Sequence, residues 1–452
     1  GPLLGFIAAW ANWISLVTLV PMEAVAAVQY MSSWPWSWAN WTKNFIKNGD
    51  ITFEGIGVVF IFMLIFTMIN FWSVKIMTHF TNLISIFKIL LPTLTIVTLI
   101  CSGFHEHNFG TNIHEFMPYG SRSIFEATSV SGIIMSYDAF QTIINMGGEL
   151  KNPRKNIVRG VLISMLITAA IYIMLQVTFI GAVEPSMLAK VGWHGIDFTS
   201  PFADLAILMG INWLVILLYL DAFVSPFGTG VAFVATASRA LAAMTHTRHL
   251  PKWLGRINQK YMIPRYAMAT DLILAVILVS LFRNWNLLAT VITASTLIAY
   301  LTGPVTVMTL RKIRPDLARP FKPRYMPWLA PIAFVLTSLA IYWSMWPTTI
   351  QVILVIALGL PIYFYYEIRY QHSDLKKQLH NCWWMIGYLI FMSFMSYIGS
   401  NGFGGQNWIK YPFDFVVIIV VSLLFYYWGV KSGRDQLDPY AEHIVQNKNK
   451  QK

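Results

Sequence analysis

Lys88 sits within Ile86-Phe87-Lys88-Ile89-Leu90-Leu91-Pro92, a stretch with no other charge. In a bilayer-spanning helix, a charge at the centre costs at least ~2.5–3.5 kcal/mol on insertion scales. Lys88 is also too far from either end of its run to snorkel to the interface. Two kinds of chemistry would justify such a residue. A lysine that exchanges its proton can drive a conformational cycle, whereas one that stays charged ties helices together through a fixed partner. Glu23, two residues after Pro21 in another apolar run, carries the same pair of readings. A third signal is the stretch Ser131 to Gln141, where Ser136, Tyr137, Asp138 and Gln141 fall at mid-membrane depth. Each polar side chain there needs a partner. A helix unwound at this point, its free backbone groups lining a water-filled site, would supply them. A continuous helix with one polar face packed on its neighbours is the alternative.

The elements that must hold these residues are membrane helices. Of the 452 residues, 56% are hydrophobic and 12% charged, with a mean hydropathy of +0.57, whereas soluble domains carry about 25% charged residues. The apolar residues form twelve runs, near 3–30, 55–72, 76–101, 124–146, 157–182, 212–243, 266–282, 285–310, 327–346, 348–366, 382–399 and 412–430. A bilayer crossing needs roughly 20 residues as a helix. The runs are continuous rather than alternating, which favours helices over a β-barrel.

The formal net charge of +12 reports topology rather than nucleic-acid binding. If the first residue is cytoplasmic and each run crosses once, the outer side holds only Lys43, Lys47, Arg122, Lys190, Arg283 and Lys410. Lys88 lies within a run, and every other Lys and Arg of the 32 is cytoplasmic. That asymmetry follows the positive-inside rule and supports the helix count. It also places the tail, 431–452, in the cytoplasm. Cys101 and Cys382 are far apart and define neither a disulfide framework nor a metal site. His105, His107 and His114 lie in an outer loop, where a solvated polar surface is the preferred reading over a metal site. Trp34, Trp36, Trp38 and Trp41 read as interfacial anchors. No Walker motif or phosphate-cradling glycine loop appears, and the cytoplasmic loops lack the acid and histidine clusters of a membrane-embedded enzyme. The chain opens Gly-Pro, with no initiator Met and no signal pattern, and its start reads as a truncation.

The same central stretch carries a family pattern. Ser136-Tyr137-x-Ala139-Phe140-Gln141, then Glu149 and Asn152-Pro153-x-Lys155, resembles the sixth helix of the amino acid–polyamine–organocation superfamily. Three further stretches agree in order and spacing. Ser225-Pro226-Phe227-Gly228-Thr229-Gly230, with Ser238 to Met244 and Leu250-Pro251, resembles the eighth helix and its cytoplasmic loop. Pro264 resembles the proline before helix nine, and Leu310-Arg311-Lys312 through Arg319-Pro320-Phe321 resembles the end of helix ten.

This resemblance implies an all-α polytopic membrane protein of the leucine-transporter fold, with two inverted five-helix repeats around a midplane site. It also implies a count. With 124–146 as helix six, only three helices precede it where the family has five. The first visible helix is then the family's third, and about 12 helices are present of an expected 14. Residues 1–101 would be the remainder of the first repeat, 124–310 the second, and 327–430 accessory helices eleven to fourteen. A chain beginning at the third helix is expected not to transport by itself. The fourteen-helix total, with Pro21-Met22-Glu23-Ala24, most resembles the bacterial aspartate–proton symporter branch.

The function so implied is secondary active transport in a bacterial inner membrane, importing an amino acid with protons by alternating access. An acidic amino acid is a candidate substrate. Exchange within the same fold, or a non-transporting sensor, are the alternatives. The resemblance places substrate binding at Tyr137, Ala139, Phe140 and Gln141, with Phe140 an aromatic gate, and proton coupling at Lys88 with Glu23. It places Ser225 and Thr229 near Lys88 as hydroxyl ligands. The family's Glu is Gln141 here and its Gly is Ala139, so a proton role does not transfer to residue 141. Asp138 beside the site would oppose an acidic ligand, and Asp221 either faces the site or turns away. The partners implied are an amino acid, protons and the lipid bilayer. No cofactor, metal or nucleic acid is implied.

Overall fold

The computed structural model describes the chain except residues 73, 131, 139, 141–151, 317–318, 320–321, 371–374 and 434–452. For 72, 74–83, 129–130, 153–154, 370 and 377 it describes the backbone only. The protein is all-α, and each of the twelve apolar runs contains helix. In chain order these are α1 (Pro2–Ser32), α2 (Phe53–Trp72), α3 (Val74–Ser102), α4 (Gly120–Val130), α5 (Ile133–Ser136), α6 (Pro153–Ala182), α7 (Pro201–Leu208), α8 (Asn212–Met244), α9 (Arg265–Leu281), α10 (Trp285–Ile313), α11 (Met326–Tyr342), α12 (Thr348–Ala357), α13 (Gly359–Tyr370), α14 (Leu375–Ile398) and α15 (Phe413–Lys431). Among the described residues the strands are confined to a short antiparallel pair, Ile46–Lys47 with Asp50–Ile51. Among the described residues eight spans are long and apolar enough to cross a membrane, so the chain is a multi-pass membrane protein.

Helix α1 is the central pillar. It is apolar on every side and is buried without interruption from Trp13 to Met22, as expected of a helix with no solvated face. Its first half packs with α10 through α15 around Phe6, Trp10, Phe334, Tyr363 and Trp384. Its second half packs with α2, α8, α9 and α10 around Val20, Val28, Met63, Phe66 and Val234. A third cluster joins the C-terminal ends of α3 and α6 with α7 and the start of α8. Outward-facing apolar side chains such as Leu162, Leu166 and Ile173 on α6 stay exposed, which suits hydrocarbon rather than water.

Two runs depart from single straight helices. Run 348–366 is divided into α12 and α13, which meet at Leu358. Gly359 follows, and a side chain there would meet the Trp10 ring at 2.7 Å. Run 124–146 is broken. Gly132 takes a left-handed φ of 79° between α4 and α5, a conformation that glycine adopts without a Cβ clash.

Candidate functional site

The break in run 124–146 is where sequence reasoning expects it. Helix α5 stops at Ser136, and Tyr137, Asp138 and Phe140 lie in the turn that follows. Gly132 also keeps this segment close to α10, because a Cβ there would touch the Trp285 ring at 3.3 Å. Asp138 anchors the turn. Thr296 Oγ1 donates to its Oδ2 at 2.8 Å, and Tyr300 OH donates to its Oδ1 at 2.8 Å. The hydroxyls of Thr296 and Ser15 lie 2.6 Å apart, which extends the network to α1. Both carboxylate oxygens are thus held by hydroxyls of α10, and the expected opposition between Asp138 and an acidic ligand is weakened by that engagement.

Two of the four expected substrate-site residues are described there. Phe140 packs its ring 5.2 Å from that of Tyr300. Tyr137 meets Tyr172 of α6 edge-on at 5.6 Å. Ala139 and Gln141 lie outside the described residues. Tyr300 is a functional candidate that the sequence did not single out, since it both binds Asp138 and backs Phe140.

The second constellation gathers around Lys88. Its ammonium donates to Thr229 Oγ1, and Thr229 in turn donates to the Ser225 carbonyl at 3.1 Å. The expected proximity of Thr229 is present. Ser225 contributes its backbone oxygen to this chain of bonds. Close approach of the two helices depends on Gly228, where a Cβ would lie 2.6 Å from Ile84, one turn before Lys88 on α3. Gly230 does the same on the side of α2, against the ring of Phe66. Lys88 interacts electrostatically with both Glu23 of α1 and Asp221 of α8. One cation is therefore in electrostatic reach of two carboxyl groups carried by two different helices. Prolines reinforce the layer: Pro92 and Pro226 cannot donate to the carbonyls of Lys88 and Ala222, which stay free for other partners.

Sequence reasoning missed a further intramembrane acid. Asp271 of α9 is 3% exposed, and its Oδ1 accepts from Trp13 Nε1 at 2.9 Å. The signal was available, since Asp271 is a single charge inside an apolar run, just as Lys88 is. A buried cluster between the loop after α8 and the helices α13 and α14 also went unread. His249 Nε2 and Glu367 Oε2 lie 2.8 Å apart, and Gln378 Nε2 donates to Glu367 Oε1 at 2.6 Å. The His249 ring stacks on Tyr363 at 4.4 Å. This cluster fastens the loop after α8 to α13 and α14.

Comparison with known proteins gives the family. The amino acid permease family model matches residues 1–353. The glutamate/serine transporter AimA of Bacillus subtilis (strain 168) is 47% identical over 433 residues, covering 96% of this chain and 80% of that protein. The aspartate-proton symporter of the same organism is 32% identical over 438 residues, covering 96% of this chain and 82% of its own length. Its branched-chain amino acid permease BcaP is 24% identical over 318 residues, 70% of this chain and 65% of that protein. Helical architecture, family match and identity over nearly the whole length converge, and the chain belongs to the amino acid permease family.

Proposed function

We propose that this protein is a proton-coupled importer of amino acids, working by alternating access in a bacterial inner membrane with its C-terminal tail in the cytoplasm. The observation that carries the reading is the Lys88 layer: an intramembrane lysine bound to Thr229, with Glu23 and Asp221 in electrostatic reach. A lysine so placed can alternate between a charged state held by these groups and a neutral state that releases them. The broken segment supplies the substrate half of the mechanism. Unwound backbone near Tyr137 and Phe140 offers carbonyls to an ammonium group, with Phe140 as the lid. In this assignment α1–α3 belong to the first inverted repeat, α4–α10 to the second, and α11–α15 are accessory. The relatives named for glutamate, serine and aspartate support small polar or acidic amino acids as the substrate class, and a transporter rather than an enzyme.

The test is uptake of labelled glutamate, aspartate and serine by proteoliposomes holding the protein expressed from its own gene, with and without an inward proton gradient. Gradient-driven uptake is expected, and Lys88→Ala is expected to lose it while retaining more of its exchange against preloaded amino acid. Uptake that requires preloading and ignores the gradient would make the protein an exchanger, with Lys88 a structural tie.

A further inference from the structure

Directly on the outer side of the Lys88 layer lies a cavity of about 190 Å3. Its lining comes from the same faces of the same helices. On α3, Pro92 and Thr95 line it, four and seven residues beyond Lys88; on α1, Tyr30 lines it, seven residues beyond Glu23; on α8, Asp221 lines it, two turns before Thr229. Spacings of four and seven residues keep side chains on one face of a helix, one or two turns apart. With the crossing pattern set by the basic residues, each of these steps runs outward. Ser200, Pro201 and Phe202, where the outer loop enters α7, line it as well.

Asp221 is the carboxylate of this cavity. Its Oδ1 is buried and has no hydrogen-bond partner among the described residues, a costly arrangement, and waters can occupy the cavity that the residue lines. The space is ample for several, since one water needs ~10–15 Å3 on such a measure. Titratable groups lie around Asp221: Lys88 on α3 and Tyr30 on α1 interact with it, and Tyr30 in turn interacts with Glu23 on its own helix, Tyr219 on α8 and Asp204 on α7. The first of these is the one basic group in that set. Asp204 is occupied by the Ser200 amide at 2.9 Å, and Tyr219 donates to the Ser33 carbonyl at 3.0 Å.

We infer that Asp221 is the outward-facing proton relay of the coupling site, loading Lys88 from the water-accessible cavity above it. The inference rests on the proton-coupled reading above. The step conserves charge. A hydronium ion in the cavity gives its proton to the Asp221 carboxylate and becomes water. The carboxylic acid then passes that proton, directly or through a cavity water, to the neutral amine of Lys88, and the carboxylate is restored. Glu23, the other carboxyl group in electrostatic reach of Lys88, remains as the counter-charge of the loaded ammonium.

The experiment is proteoliposome uptake with internal pH held constant and external pH varied, on wild type, Asp221→Asn and Asp221→Glu, with melting in detergent as the folding control. Asp221→Asn is expected to lower gradient-driven uptake about 10²-fold, the usual contribution of a positioned proton-transfer group. It should also flatten the external pH profile, and its loss in exchange should be much smaller. Asp221→Glu is expected to restore both rate and profile. An Asp221→Asn protein with the wild-type external pH profile overturns the relay. Equal losses in exchange and gradient-driven uptake, unrescued by Asp221→Glu, do so too and make Asp221 a structural or substrate-binding residue. A wild type that shows no gradient-driven uptake overturns the coupled reading itself, and is told apart because it fails before any substitution is made.

Discussion

At Lys88 and Thr229, a single hydroxyl meets the ammonium, and its removal isolates the effect. Thr229→Val keeps the shape and deletes the acceptor, so the amine loses a partner it cannot replace in an apolar setting. The expected cost is about 1–3 kcal/mol, read as a lower melting temperature in detergent, with Thr229→Ser close to wild type. Asp271 and Trp13 allow a sharper test of the same principle. Trp13→Phe strands a buried carboxyl oxygen and should destabilise by about 1–3 kcal/mol. Adding Asp271→Leu removes the stranded group and should recover most of the loss. If the double variant melts lower than Trp13→Phe alone, Asp271 serves something other than this bond. Tyr300 is a third case. Tyr300→Phe keeps the ring against Phe140 but drops the bond to Asp138, so a loss of uptake in this variant belongs to the anchoring of the turn.

Helices α3 and α8 meet because glycine permits it. A Cβ at residue 228 would lie 2.6 Å from Ile84, well inside van der Waals contact, so the helices would have to separate. Gly228→Val is expected to cost about 1–3 kcal/mol through overpacking and to disconnect Lys88 from Thr229. Pairing it with Ile84→Ala returns the volume, and recovery of both melting temperature and gradient-driven uptake in the pair would show that helix separation was the cause. The break between α4 and α5 has the same logic in a different form. Gly132 supplies a left-handed turn, and Asp138 then fastens the unwound end to α10. An element that is opened at one residue and tied down two turns later can present backbone groups without drifting.

Across the whole molecule, the loop after α8 is bound to the accessory helices by His249 and Glu367, whose side chains are 6% and 2% exposed. Leaving one partner of a buried hydrogen bond unsatisfied typically costs about 1–3 kcal/mol. Glu367→Ala should therefore loosen the loop, visible as faster amide exchange across 245–264, while exchange in α1 stays slow. Orientation in the membrane has its own readout. Cys101 is exposed at the end of α3 and Cys382 is buried in α14. In intact cells a membrane-impermeant maleimide should label Cys101 and spare Cys382. Labelling of Cys101 only after the cells are opened would invert the proposed topology.

Composition, run length and the distribution of Lys and Arg were enough to establish a helical membrane protein, because the bilayer imposes length and satisfaction rules that a single sequence must obey by itself. A charge such as Lys88 inside an apolar run is visible for the same reason. The polar stretch from Ser131 to Gln141, by contrast, left an unwound segment and a continuous helix with one polar face both open, and the turn at Gly132 decided for the first. The family pattern added the expectation that Thr229 lies near Lys88. Which partners those residues meet was not legible. Asp138 joins Thr296 and Tyr300 across 158 and 162 residues of chain, and Trp13 reaches Asp271 across 258. No local period encodes such pairings. The cavity above Lys88 is likewise assembled from α1, α3, α6, α7 and α8, and it exists only once those helices pack. Local sequence determines whether a segment can live in lipid. The contacts that turn its polar residues into a site depend on which faces meet, and packing of the complete helix set decides that.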